Sequence, residues 1–364
     1  MIQFFVYLSF SFIFFQCIHV ILNYFMRQKI GSSNTCADEL VSILIPARNE
    51  EGNIALLLSD LVRVEDCQVE IIVFDDQSTD ATADIVRRFS VEDNRVSLYQ
   101  SKGLPAKWLG KNYACYQLSQ RAKGRYLLFL DADVRIDASM IKEATGYMRK
   151  YDLGLLSVFP QQIQKGMGER VTVPIMNYIL LTLLPLIFVR VSPFSSHSAA
   201  NGQFMLFDQA IYRTYDLHKR FACSAVEDIQ IARYLKKQHV KIACVTGEHR
   251  IRCRMYHNYQ EALNGFSKNV CMFFGNKFPL AFAFWALATL GVIPVMLFDL
   301  SLLLYYFLLV VVVQILYSKA CLQPAAQNLL LFPLQLFFLI HVIILSLQRR
   351  RKKIYVWKNR NVSA

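Results

Sequence analysis

The sequence predicts an α/β domain built on an open, mostly parallel sheet, set between apolar blocks long enough to lie in a membrane. Three observations carry that prediction. Short runs rich in β-branched and aromatic residues alternate with helical stretches between residues 38 and 270. Two of those runs end abruptly in acids: Glu70–Phe74 runs into Asp75-Asp76, and Tyr126–Leu130 runs into Asp131-Ala132-Asp133. The remaining apolar mass is gathered into a few uninterrupted blocks near the two ends of the chain.

The first block, Met1–Met26, holds no charged residue and is followed by Arg27, Gln28 and Lys29. About 20 apolar residues cross a bilayer, so the block is long enough to span. It lacks a charged leading segment and a small-x-small cleavage site, so residues 1–26 read as an anchor rather than a signal peptide. Val41–Pro46 is the first strand, and Ala47–Glu51 turns the chain into a helix that runs through Leu61. Val69–Phe74 is the second strand. Ser78 and Thr79 stand where a helix N-cap is wanted, before a helix over Thr82–Phe89. Arg95–Tyr99 reads as a third strand, Tyr113–Arg121 as a helix and Tyr126–Leu130 as the fourth strand. Ligands of such sheets sit at the carboxyl ends of the strands, where both acid clusters fall.

The apolar stretch 171–191 is interrupted by Pro174 and Pro185. A crossing there would put the acids before it and after it on opposite sides, so it reads as interfacial or re-entrant. Glu227-Asp228 then opens a helix through Leu235. Three further blocks, Leu280–Phe298, Leu300–Tyr317 and Leu329–Leu347, fill residues 279–348, and Arg349–Lys353 opens a basic tail over 349–364. Positive residues beside a span stay cytoplasmic. The expectation is a multi-pass protein of the cell (inner) membrane, with the 38–270 domain and the tail in the cytoplasm. Three full crossings after a cytoplasmic domain would leave the basic run outside, so one block is expected to lie in the interface or to re-enter.

Composition agrees. The chain of 364 residues is 54% hydrophobic with 27 Phe, too apolar for a purely soluble enzyme. Its net charge of +13, from 40 Lys and Arg against 27 Asp and Glu, suits anionic headgroups. No nucleic-acid motif is present, and no nucleic-acid partner is expected. The nine cysteines have neither CxxC pairs nor metal-ligand spacing and read as free thiols. A transporter would leave the long α/β pattern unexplained, and its one obvious charge among the blocks, Asp299, falls in a short turn.

Three acidic sites carry the chemistry. Asp131 and Asp133 project to the same side of an extended chain, which suits a hard divalent cation shared with a diphosphate. Of Asp75 and Asp76, one can accept hydrogen bonds from a base or ribose while the other caps a helix. Glu227-Asp228 at a helix start reads equally as capping or as an available general base.

Together Ile43–Glu50, Asp75–Asp80, Asp131-Ala132-Asp133 and Glu227-Asp228 resemble a family 2 glycosyltransferase. More narrowly, the chain is similar to the membrane glycosyltransferases of carotenoid and hopanoid gene clusters. Gly103-Leu104-Pro105, Lys107–Lys111, Asn201–Phe207, Arg254-Met255-Tyr256, Ser267-Lys268-Asn269 and Trp357–Arg360 carry that likeness. The resemblance implies a GT-A, Rossmann-like domain with an N-terminal anchor and C-terminal transmembrane helices. It implies that Pro46, Glu50 and Asp75 or Asp76 embrace the nucleoside and that Lys111 lies near the nucleotide. It also implies that Asp131 and Asp133 hold Mn2+ or Mg2+ and the diphosphate, Asp133 the more direct ligand, and that Asp228 is the base. The donor is expected to be a UDP-sugar, the acceptor a carotenoid, hopanoid or other isoprenoid lipid, and the transfer inverting. The Gln-x-x-Arg-Trp motif of processive relatives is missing, which argues against a polymer synthase, and Arg252 and Arg254 stand as its replacements at the diphosphate. His249 is a candidate third metal ligand or a structural histidine. The competing reading is a non-catalytic scaffold of the same fold that binds a nucleotide sugar or lipid. The segment Trp357–Arg360 is expected to fold back to the active-site rim.

Overall fold

The computed structural model describes residues 1–31 and 39–352, together with the backbone of 356–357 and 360–361. The chain divides into two compact units, one apolar and helical, the other built on a sheet.

The sheet unit comprises residues 28–161 and 186–253 among those described. Its strands are β1 (Val41–Ala47), β2 (Val69–Asp75), β3 (Val96–Gln100), β4 (Tyr126–Leu130), β5 (Val134–Ile136), β6 (Leu155–Gln162), β7 (Phe204–Asp208) and β8 (Ile242–Cys253). They form one eight-stranded sheet in the order β3-β2-β1-β4-β7-β6-β8-β5. β1 runs parallel to β2 and β4, and β2 parallel to β3, so Asp75 and the acids after Leu130 emerge at one edge. Beyond β4 the direction reverses: β7 is antiparallel to β4 and to β6, and β5 is antiparallel to β8. The sheet is therefore mixed rather than mostly parallel. A fully buried apolar strand such as β7 looks the same in either direction, and only the path of the connection decides.

The helices of this unit are α2 (Ile54–Leu61), α3 (Thr82–Glu92), α4 (Gly110–Arg121), α5 (Ser139–Tyr151), α8 (Ile187–Val191), α9 (Gln209–Tyr215), α10 (Leu217–Arg220) and α11 (Glu227–Lys237). The core between the helices and the sheet gathers Ile43, Ile45, Leu57, Leu61, Val73, Leu128, Leu130, Met140, Leu156 and Phe204, all essentially excluded from solvent. At about 25 cal/mol per Å2 such burial is what holds the sheet edge in place. The expected N-cap of α3 is corrected: Ala81, not Ser78 or Thr79, stands at that position, and Asp80 just before it accepts the Thr82 N–H at 3.0 Å. Ser78 and Thr79 instead bind Asn49, whose φ of 52° turns the chain after β1 toward them.

The helical unit contains α1 (Ile2–Phe25), α6 (Met167–Thr172), α7 (Pro174–Leu183), α12 (Tyr259–Phe266), α13 (Phe278–Leu290), α14 (Val292–Phe298), α15 (Leu300–Ala320) and α16 (Ala325–Lys352). Three of these, α1, α15 and α16, are long and apolar enough to cross a membrane. They leave large apolar side chains on the outside, among them Phe4, Tyr7, Leu304, Leu308, Leu330 and Phe337. The block Leu280–Phe298 is broken: α13 and α14 meet at Gly291 with a bend of 42°. A Cβ at Gly291 would lie 2.4 Å from the Leu287 carbonyl and 2.9 Å from the Tyr306 hydroxyl, so glycine is required at the bend. The stretch 171–191 is also discontinuous, with its Pro174 opening α7 and Pro185 following that helix. Polar groups tie the helices together: Gln16 Nε2 donates to the Tyr178 hydroxyl at 2.9 Å, and Asn23 Nδ2 to the carbonyls of Leu181 and Leu184.

The tail segments Val356–Trp357 and Arg360–Asn361 pair as two short antiparallel strands. The fold-back expected of Trp357–Arg360 lies outside the described residues, since neither 358–359 nor the side chains of that segment are described. The eight described cysteines are all free thiols.

Candidate active site

The site is built where β4, α4 and α11 meet. β4 ends at Leu130 and hands Asp131 to solvent, while α4 begins at Gly110 and presents Lys111 from its first turn. Lys111 Nζ lies 2.6 Å from Asp131 Oδ1 and 2.9 Å from Oδ2, and 3.9 Å from Glu227 Oε1. Glu227 and Asp228 occupy the first turn of α11, where the helix dipole favours anions. Asp228 Oδ2 accepts the Gly202 N–H at 3.1 Å and its Oδ1 accepts the Ile229 N–H at 2.7 Å. Gly202 is the piece that lets these groups converge. A Cβ there would stand 3.1 Å from Lys111 Nζ, 3.6 Å from Glu227 Oε1 and 3.7 Å from Asp228 Oδ2.

The electrostatics follow from burial. Burial alone would push the Lys111 amine down, but the Asp131 and Glu227 carboxylates outweigh it and hold the ammonium form. Burial pushes the Glu227 carboxyl up to about 7, with Lys111 opposing and Asp228 reinforcing the rise. Asp228 is raised as well, chiefly by burial, with its two backbone N–H partners and Lys111 among the opposing influences. Asp133 rises to about 7 because it is buried and because the charges of Asp131 and Glu50 repel its anion. Four carboxylates thus crowd one cation, an arrangement that a second positive charge would relieve.

Asp133 supplies the observation that bears on a metal. Its Oδ1 is buried without a hydrogen-bond partner among the described residues. An orphaned anionic oxygen next to a second carboxylate fits a hard cation that takes its other ligands from a diphosphate and water. Among the described residues no group of three or more His, Cys, Asp or Glu is arranged to hold such an ion by protein ligands alone.

The remaining expected residues are placed as follows. Pro46 faces Phe74 in the β1–β2 register, and Glu50 sits just beyond β1 with its Oε2 bonded to Asn53 at 2.9 Å. Asp75 is buried and accepts from the Ser78 N–H at 3.1 Å and from Gln100 Nε2 at 3.3 Å. Asp76 is buried beside it. Neither caps α3. Arg252 is exposed on β8, opposite Arg135 in register. His249 is three-quarters exposed and lies beside Glu248, not in the acid cluster. Arg254 belongs to the helical unit, where its Nε meets Glu169 Oε1 at 2.7 Å.

Sequence reading passed over Asn112. From α4 its Nδ2 donates to the carbonyls of Phe221, Ala222 and Ser224 at 2.8, 3.1 and 2.8 Å, fixing the loop that delivers Glu227. The available signal was an asparagine next to a candidate site lysine, Lys111-Asn112.

The sequence model of glycosyl transferase family 2 matches residues 42–215, which hold the β1, β2 and β4 ends and Gly202. Nearly half of the chain is thus similar to a glycosyltransferase family 2 domain. It is 28% identical over 236 residues to a 4,4'-diaponeurosporenoate glycosyltransferase of Staphylococcus haemolyticus, covering 64% of this chain and 61% of that one. It is 30% identical over 237 residues to the enzyme of the same name from Staphylococcus aureus strain USA300, covering 63% and 60%. The chain thus spans about three fifths of the length of these relatives. A mannosyltransferase from Pyrobaculum calidifontis, solved with GDP-Man and Mn2+, superposes with a TM-score of 0.57 at 12% identity, over 95% of this chain and 99% of that one. That likeness is one of fold, and the family 2 domain has the GT-A architecture.

Proposed function

We propose that this protein is a membrane-bound glycosyltransferase that moves a sugar from a nucleotide donor to a lipid-like, isoprenoid-type acceptor. The observation that carries the reading is the convergence of Lys111, Asp131, Glu227 and Asp228 around Gly202 at the carboxyl edge of the sheet. The names of the relatives support a carotenoid acceptor, and the GDP-Man and Mn2+ bound to the mannosyltransferase support a nucleotide sugar with a divalent metal. The helices α1, α15 and α16 support a bilayer setting with several crossings. We read the sheet unit as cytoplasmic from the positive residues after α1 and at the end of α16.

Pro46, Glu50, Asp75 and Asp76 line the nucleoside side of the edge. Asp133, with Asp131, would hold Mn2+ or Mg2+, which when bound neutralises charge growing on the diphosphate. Lys111 places a fixed cation beside Asp131 and so orients the donor. Arg252 and Arg254 are the further candidates for the diphosphate. The acceptor oxygen attacks the anomeric carbon, the bond to the nucleoside diphosphate breaks with its electron pair, and the configuration inverts. When the acceptor is a hydroxyl, its proton passes to Asp228. An acceptor that ends in a carboxylate, as the relatives' names state for theirs, brings an oxygen already ionised and gives up no proton.

The test is nucleotide release by the detergent-purified chain from a panel of UDP- and GDP-sugars, with and without Mn2+, against isoprenoid acids and alcohols. Release with a glycosylated lipid product is expected. Tight donor binding without turnover on any acceptor would favour the scaffold. Nucleotide-independent solute uptake by proteoliposomes would revive the transporter.

A further inference from the structure

Asp228 in the first turn of α11 and Lys236 in its last turn hold the same piece of chain. Lys236 is only 5% exposed, and its Nζ donates to the carbonyls of Phe188 at 3.0 Å and His197 at 2.8 Å. Phe188 lies in α8 and His197 in the segment that follows it. The His197 ring stacks on Phe188, with centroids 5.4 Å apart, and its Nδ1 lies 2.8 Å from the Ser192 hydroxyl. Further along, Asn201 exchanges hydrogen bonds with Ser157 of β6, and Gly202 donates to Asp228. Among the described residues no carboxylate pairs with the Lys236 ammonium, and burial lowers its amine to about 8. An ammonium buried against two carbonyls is a costly arrangement for a structural purpose, because an apolar side chain would fill the space without desolvating a charge.

We propose that Lys236 is a positioning residue for glycosyl transfer, fixing residues 188–202 so that Gly202 meets Asp228 in the orientation the acceptor oxygen requires. One rigid helix grips the segment near its start and at its end, which sets the gap in which Gly202 sits among Lys111, Glu227 and Asp228. The inference rests on the glycosyltransferase reading above. Lys236 touches neither donor nor acceptor and acts through the backbone it holds. The titratable neighbour in the segment is His197, which burial and Lys236 together keep low. Arg190 of α8 stacks on Tyr151, 3.8 Å from the ring centre.

The experiment uses the full chain in detergent and compares wild type, Lys236→Met and Lys236→Arg for kcat, donor KM and the pH profile. Lys236→Met is expected to lose about 10–100-fold in kcat, as a small misplacement of reacting groups does. Its donor KM should stay within about twofold, because the groups at the donor are untouched. Lys236→Arg should recover most of the turnover. The wild-type alkaline limb near pH 8 should move upward in that variant, since arginine keeps its proton. A Lys236→Met enzyme with wild-type kcat overturns the proposal. So does an alkaline limb unmoved in Lys236→Arg, or a loss of activity matched in both variants by a loss of folded protein. A wild type inert toward every donor sinks the glycosyltransferase reading itself, an outcome the variants do not mimic.

Discussion

The Lys111 ammonium straddles both oxygens of the Asp131 carboxylate, at 2.6 and 2.9 Å, while Glu227 waits 3.9 Å away on the other side. Lysine is long enough to reach across from α4, and its charge bridges Asp131 and Glu227 while the Gly202 and Ile229 N–H groups hold Asp228 beside them.

Lys111→Met therefore leaves the four clustered carboxylates without their cation. We expect a loss of about 100-fold in kcat/KM, of the size seen when one preorganised charge partner is removed. Steady-state kinetics at fixed Mn2+ checks it, and a loss under about fivefold would show that Lys111 is only a structural counter-ion.

Asp228→Asn keeps the Gly202 contact but takes no proton. With an isoprenoid alcohol as acceptor, turnover should fall about 100- to 10,000-fold while the donor still binds. With an isoprenoid acid the loss should be far smaller. Wild-type turnover of the alcohol by this variant ends the case for Asp228 as base.

Gly202→Ala inserts a methyl group 3.1 Å from the Lys111 ammonium. The backbone there needs no left-handed φ, so the protein should fold and melt normally while activity drops by about tenfold or more. Thermal melting and turnover on one sample separate the two.

Asp133 gives a prediction that needs no substrate. Its folded pKa of about 7 exceeds the ordinary carboxyl value, mainly through burial, so the folded chain binds more protons than the unfolded one between about pH 4 and 7. Stability without metal should fall as pH rises through that window, and Glu227 pulls the same way. Asp133→Asn should consequently raise Tm at pH 8 by a few degrees in metal-free buffer and lose the gain at pH 4. The same variant should no longer gain Tm from Mn2+ plus a nucleoside diphosphate. Melting curves at pH 4 and 8 decide it, and an Asn variant less stable at pH 8 would refute the argument.

In the helical unit, Glu169 is fully buried, receives the N–H groups of Lys165 and Gly166, and pairs with Arg254. Glu169→Gln should cost about 3 kcal/mol, as breaking a buried pair does. Arg254→Lys tests its other assignment: unchanged donor kinetics in a folded variant would remove Arg254 from the diphosphate.

Some of this was legible in the chain as written. Tyr126–Leu130 reads as a buried strand, because five consecutive apolar residues between Gly124-Arg125 and Asp131 are too short a run for a helix. The acids at its end, the helix opened by Glu227 and the apolar block at the N-terminus were read from the same local rules of period, capping and length. Those rules act over a few residues, so the sequence by itself determined where most strands and helices of the first half fall and which residues bring charge to their ends. Tertiary structure decided the rest. It reversed β7 and turned a parallel sheet into a mixed one, which no strand's own side chains specify. It left Ala81 rather than Ser78 at the N-cap of α3, with Asp80 accepting the first N–H, while Ser78 accepts the Asn49 N–H instead. It brought Gly202 to Asp228 and Lys111 to Asp131, pairs widely separated along the chain, within hydrogen-bond reach, and it took the Asp133 Oδ1 atom and the Lys236 side chain largely out of the solvent on which their acidity depends. Contacts between distant segments have no signature in local pattern, and a buried charge looks like any other charge until the fold closes over it.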